Sequence, residues 1–136
     1  MKESNSVKIF IVEDDPTYTK FLQYVFGLNP DYEPVFFTTG KALINQLHQK
    51  PEVITLDYSL PDMTGEEVLK YVRDFDPSIT VIVVSAQEKI GTAVNLLKMG
   101  AFDYIVKDQE AKDRILNSVQ NAINKTSLVR EIDRLK

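Results

Sequence analysis

Residues 53–60 read VITLDYSL, and this stretch sets how the rest of the chain is interpreted. Val53, Ile54 and Leu56 are apolar, β-favouring residues of a buried strand, yet the run ends on the carboxylate of Asp57. A lone carboxylate is costly to bury unless it is paired or has chemistry to perform. The neighbouring runs must supply that reason.

Working outward, four more strand-like runs occur at Val7–Val12, Val35–Thr38, Thr80–Ser85 and Phe102–Val106. Helix-period segments lie between them. Thr17–Leu28 groups Phe21, Leu22, Val25 and Phe26, Ala42–Leu47 groups Leu43, Ile44 and Leu47, and Glu66–Phe75 and Thr92–Met99 repeat the spacing. Asp15-Pro16 reads as an N-cap followed by proline at the first helical position. Thr64, with Glu67 three residues on, reads as a capping box. The run TVIVVS at 80–85 is almost wholly apolar, as expected of a central strand covered on both faces. Five alternations imply an α/β fold, a doubly wound five-stranded parallel sheet of flavodoxin-like (βα)5 type joined by right-handed crossovers. The expected strand order is 2-1-3-4-5, which puts a ligand-binding switch point between the carboxyl ends of strands one and three.

Composition narrows the function. A chain of 136 residues with 43% hydrophobic and 26% charged residues suits one globular domain. No apolar run is long enough to span a membrane, and the opening MKESNSVKIF lacks the apolar core of a signal peptide, so a cytoplasmic location is expected. Without cysteine there is neither a disulfide nor a thiolate site. A net charge of −4 argues against direct nucleic-acid binding. From Glu110 onward six Lys/Arg face four Asp/Glu (+2), leaving ten against sixteen (−6) in the first 109 residues.

At the predicted carboxyl ends stand Glu13-Asp14-Asp15 after strand one, Asp57 on strand three, Ser85 on strand four and Lys107 after strand five. Carboxylates sharing a crevice raise one another's pKa values. A divalent cation such as Mg²⁺, which takes carboxylate, water and phosphate oxygens, removes that conflict, and Lys107 adds a compensating charge. Taken singly, each residue has a bland reading: Glu13 or Asp14 as a solvated loop acid, Asp15 as an N-cap, Asp57 as a turn residue, Lys107 as a surface lysine. Their shared edge outweighs those separate readings. His48, the single histidine, falls away from this edge and reads as a surface helix residue, so a Ser-His-Asp or His-metal mechanism lacks support.

The stretches IVEDDP, LDYSLPDMTGEEVL, VIVVSA and GAFDYIVK, in this order and spacing, resemble the receiver domains of two-component response regulators over roughly residues 7–123. The resemblance implies that Asp57 accepts a phosphoryl group, with Asp14 and Asp57 binding Mg²⁺ directly, Glu13 acting largely through water, and the Ser59 carbonyl completing the protein's ligands. Ser85 would hydrogen-bond one phosphoryl oxygen, Lys107 would pair with another, and Tyr104 would change rotamer with Ser85. Ser59 and Gln87 would tune the lifetime of the adduct. The implied donor is a sensor histidine kinase or phosphotransfer protein, and the implied role is a signalling switch rather than an enzyme. The chemistry agrees, since a carboxylate can form an aspartyl phosphate and phosphoryl transfer needs mostly positioning and charge neutralisation. In this family the lysine is usually followed by a cis proline; here Asp108 follows, so the loop is expected to be trans and reshaped, or strained.

Rival readings are weaker. A nucleotide-binding domain would need a glycine-rich cradle, which EDDPTY is not. A haloacid-dehalogenase-like phosphatase would read Glu13-x-Asp15-x-Thr17 as its motif but would place Glu at the nucleophile. A phosphorylation-independent interaction module would typically have lost part of the acid–hydroxyl–lysine set. In the last helix Ile115, Leu116, Val119 and Ile123 form a core-facing stripe, Asn124–Ser127 interrupts it, and Leu128, Ile132 and Leu135 resume it. Residues 1–124 are therefore expected to form the receiver. Residues 125–136 would begin a helical linker to an output domain outside this chain, the only route to DNA, with homodimerisation on phosphorylation.

Overall fold

Strand β1 (Val7–Val12) sits inside a parallel sheet of order β2-β1-β3-β4-β5, with β2 at Tyr32–Phe37, β3 at Val53–Asp57, β4 at Thr80–Ser85 and β5 at Asp103–Val106. The structure is a computed structural model that describes residues 6–135. The leading MKESN and Lys136 lie outside the described residues, as do the side chains of residues 126, 127, 129 and 130. The expected order and parallel pairing are both present. Alternation along each strand sorts its side chains between two cores. Ile9 and Ile11 of β1, with Ile82 and Val84 of β4, pack under α1 (Pro16–Gly27) and α5 (Ala111–Arg134). Phe10 and Val12, with Val81 and Val83, face α2 (Gly40–Ile44), α3 (Gly65–Phe75) and α4 (Ile90–Lys98). Every residue of β3 and β4 is buried.

The helix starts follow the caps read from sequence. The Asp15 side chain accepts from the Thr17 amide, with Pro16 opening α1. Thr64 and Glu67 form the full capping box of α3, each side chain accepting from the other's backbone amide at 3.1 and 2.9 Å. Several boundaries differ from expectation, most by one or two residues. β2 begins at Tyr32 rather than Val35, because an edge strand tolerates Pro34. α2 begins at Gly40, capped by Thr39, and ends at Ile44, followed by a short 3-10 turn at Leu47–Gln49 that carries an exposed His48. At residues 124–127 the apolar stripe is interrupted but the helix is not: α5 runs 24 residues unbroken to Arg134, in keeping with the helical tail expected. Its last apolar residues, Leu128, Ile132 and Leu135, are 62%, 48% and 73% exposed. Among the described residues no helix is long and apolar enough to cross a membrane.

Candidate functional site

The sheet brings the predicted edge residues together. Asp57, the last residue of β3, shares the parity of Val53, which packs on the α1/α5 side, and it is 5% exposed. Glu13, one residue past β1, is 2% exposed. Lys107, one residue past β5, places Nζ 2.9 Å from Glu13 Oε1 and 3.6 Å from Asp57 Oδ1. Glu13, Asp14 and Asp57 each offer a carboxylate oxygen, all within 4.8 Å of one another. An all-oxygen set this tight, with only one ammonium to offset it, suits a hard divalent cation. Burial, then the Glu13 charge, pushes the Asp57 carboxyl up to about 7 despite Lys107, and contacts with Asp14 and Glu13 add to the rise.

The loop after β3 is tied back to this carboxylate. The Ser59 amide donates to Asp57 Oδ1 at 3.3 Å, and the Gly65 amide donates to the Tyr58 carbonyl at 2.9 Å. Gly65 is required there, since a Cβ would meet the Tyr58 ring at 2.9 Å and its Cα at 3.1 Å. Asp15, the residue the phosphatase motif would need, is exposed and spent on its cap.

Ser85 and Tyr104 belong to the other face. Ser85 continues the parity of Val81 and Val83, and Tyr104 packs against the same core. A single residue links them: the Gln87 amide donates to Ser85 Oγ at 3.1 Å, and the Tyr104 hydroxyl donates to the Gln87 carbonyl at 2.8 Å.

The loop carrying Lys107 is trans; no cis peptide occurs among the described residues. Asp108 organises it in place of proline. Its carboxylate accepts from the Glu110 amide at 2.9 Å and pairs with Arg114 at 3.3 Å, while the Lys107 amide donates to the Ser85 carbonyl at 2.8 Å.

Two contributors have no role assigned from the sequence. Tyr18, on the first turn of α1, lays its ring 4.5 Å from Lys107 Nζ. Burial, then the carboxylates of Glu13, Asp108 and Asp57, push its hydroxyl up to about 12, so the ring is a neutral phenol at ordinary pH. Glu66 accepts from Tyr58 at 3.3 Å and from Asn95 of α4 at 2.7 Å, joining the β3–α3 loop to α4. Tyr18 precedes Phe21 and Leu22 by helical spacing, which marks an inward face but not a lysine 89 positions away.

Comparison with known proteins agrees with this geometry. The sequence profile of the response regulator receiver domain matches residues 9–120. The regulatory protein LuxO of Vibrio vulnificus is 41% identical over 119 residues, covering 86% of this chain and 26% of that protein. The chemotaxis protein CheY of Listeria monocytogenes is 42% identical over 118 residues, covering 85% of this chain and 98% of CheY. Among solved structures, the signal receiver domain of a protein described as a LuxO repressor, from Vibrio parahaemolyticus, superposes with a TM-score of 0.86 at 30% identity, covering 93% of this chain and 97% of the other. The chain spans about a quarter of the length of its LuxO and AtoC relatives.

Proposed function

The chain belongs to the response regulator receiver domain family, and from that premise we propose that Asp57 accepts a phosphoryl group from a histidine kinase or phosphotransfer partner and that the domain then switches an output. The observation that carries this reading is the buried Glu13–Asp57–Lys107 contact at 2.9 and 3.6 Å, with Asp14 within ligating reach. It supplies a nucleophile, a compensating cation and an oxygen ligand set at one sheet edge.

A carboxylate oxygen of Asp57 attacks phosphorus as the bond from phosphorus to the donor's leaving atom breaks, giving an acyl phosphate. Lys107, already between the two carboxylates, neutralises a phosphoryl oxygen as charge shifts. Glu13, Asp14, Asp57 and the Ser59 carbonyl are the residues that would hold Mg²⁺. When bound, Mg²⁺ neutralises the charge on carboxylates and phosphoryl oxygens alike. The Ser85 hydroxyl, whose oxygen accepts from the Gln87 amide, gains a charged phosphoryl acceptor for its own proton. The Gln87 backbone also holds Tyr104 through its carbonyl, so phosphorylation biases the β4–α4 segment between two arrangements.

The relatives named regulatory and transcriptional regulatory proteins support a transcriptional output. In that reading residues 125–136, where α5 carries exposed Leu128, Ile132 and Leu135, begin a linker that self-associates on phosphorylation. DNA would be met only through the output domain, and the site of action would be the cytoplasm. A stand-alone switch is the second reading, favoured by the match to 98% of a CheY. Intact mass after incubation with acetyl phosphate and Mg²⁺ tests the proposal. One added phosphoryl group that chelation abolishes supports it, and turnover of the donor with no adduct points instead to a phosphatase.

A further inference from the structure

The contacts of Lys107 divide into two kinds. Two are to carboxylates, Glu13 and Asp57, whose charge is shared with whatever else enters the site. The third is to the face of Tyr18, 4.5 Å away, which keeps its character when the carboxylates take other partners. The backbone bonds of the Lys107 loop fix Cα but not the long side chain beyond it, whose free rotamers cost about 2 kcal/mol to order. Tyr18 is itself held. It sits in the first turn of α1, behind Pro16, and its ring packs against Phe21 at 5.0 Å. Its hydroxyl is buried with no hydrogen-bond partner, so no hydrogen bond explains a tyrosine at this position. What its body does offer is a π-face toward the ammonium of a lysine whose side chain is 12% exposed.

We infer that Tyr18 is a positioning residue for phosphoryl transfer, its ring holding the Lys107 ammonium over the acceptor through a cation–π contact while the carboxylates exchange partners. The inference rests on the phosphoacceptor reading of Asp57. Because the hydroxyl is unpartnered, Tyr18→Phe is a conservative change that keeps the face. Tyr18→3,4,5-trifluorophenylalanine keeps the shape but withdraws the negative face. Tyr18→Leu removes the ring.

The rate of adduct formation from acetyl phosphate and the Lys107 ε-methylene proton shifts are measured on the full chain, with thermal midpoints recorded for each variant. With Tyr18→Phe the rate stays near that of the unsubstituted protein and the ε-protons stay shifted upfield by the ring. With the trifluoro ring the rate falls about three- to tenfold, the size of a partly buried cation–π contact, at an unchanged thermal midpoint. With Tyr18→Leu the upfield shift is lost as well. Equal rates for Phe and trifluoro rings, or Lys107 ε-protons at ordinary positions in the unsubstituted protein, overturn the inference while leaving Asp57 as acceptor. If the unsubstituted protein takes no phosphoryl group, the acceptor reading fails and this one with it.

Discussion

Replacing Asp57 by asparagine is expected to make the metal-free protein more stable. Asp57 is 5% exposed and its carboxyl is pushed up to about 7, first by burial and then by Glu13. Above that pH the folded state carries an ion it disfavours. Moving a carboxyl from 3.8 to about 7 costs the ionised form about 4 kcal/mol, at about 1.4 kcal/mol for each tenfold change. That cost is already net of the attraction of Lys107 at 3.6 Å; asparagine only approximates the neutral acid and leaves Lys107 with one carboxylate fewer, so the net gain at pH 8 is roughly 1–3 kcal/mol. With a urea m-value of about 1–3 kcal/mol/M the midpoint moves up by about 1 M. The pH dependence has a definite sign. Between the unfolded value near 3.8 and the folded value near 7 the folded state binds the extra proton, so the unsubstituted protein gains stability as pH falls through that window. The advantage of Asp57→Asn is therefore full at pH 8 and close to nil near pH 4. Urea titrations with chelator at both pH values decide it. Added Mg²⁺ should narrow the gap at pH 8 by stabilising only the unsubstituted protein. An Asp57→Asn protein no more stable at pH 8, or one with the same advantage at both pH values, refutes the electrostatic account.

Gly65→Ala should cost about 1–3 kcal/mol, read by urea unfolding, because its Cβ would meet backbone as well as ring atoms of Tyr58; an unchanged midpoint would show that the loop yields freely. Amide exchange with a phosphoryl analogue bound should change across Ser85–Lys107, where the backbone of Gln87 ties Ser85 to Tyr104. Changes confined to the acidic loop would argue against that route. Sedimentation of the phosphorylated chain should show weak self-association that is lost when it is cut after Lys125, since Leu128, Ile132 and Leu135 are exposed; two equally monomeric species would remove the case for a dimerising tail.

The sheet was legible because β3 and β4 are buried on both faces, so their runs are mostly apolar rather than alternating. The first residues of β2 were not, since Glu33 and Pro34 look unlike a strand until the strand is known to lie at the edge. The tail was legible as helix despite its polar stretch: Asn124–Ser127 interrupts the apolar stripe, but a helix already nucleated against the core extends at little cost through polar residues, and α5 does so. At the site, the residues at strand ends could be read because topology alone brings them together. The Tyr18–Lys107 contact and the loop built by Asp108 could not, because both depend on where side chains of separate elements come to rest. Of the two outcomes expected for losing proline after Lys107, the structure has the trans peptide, with Asp108 accepting from the Glu110 amide.

The account stands or falls on which atom receives the phosphoryl group. An acyl phosphate is reduced by borohydride to an alcohol, so an aspartyl phosphate becomes homoserine at its own position. Peptide mapping after phosphorylation with acetyl phosphate and Mg²⁺ is predicted to find homoserine at position 57 alone. Homoserine at position 14 or 62 in the unsubstituted protein, or none at all in protein that has gained a phosphoryl group, would contradict it.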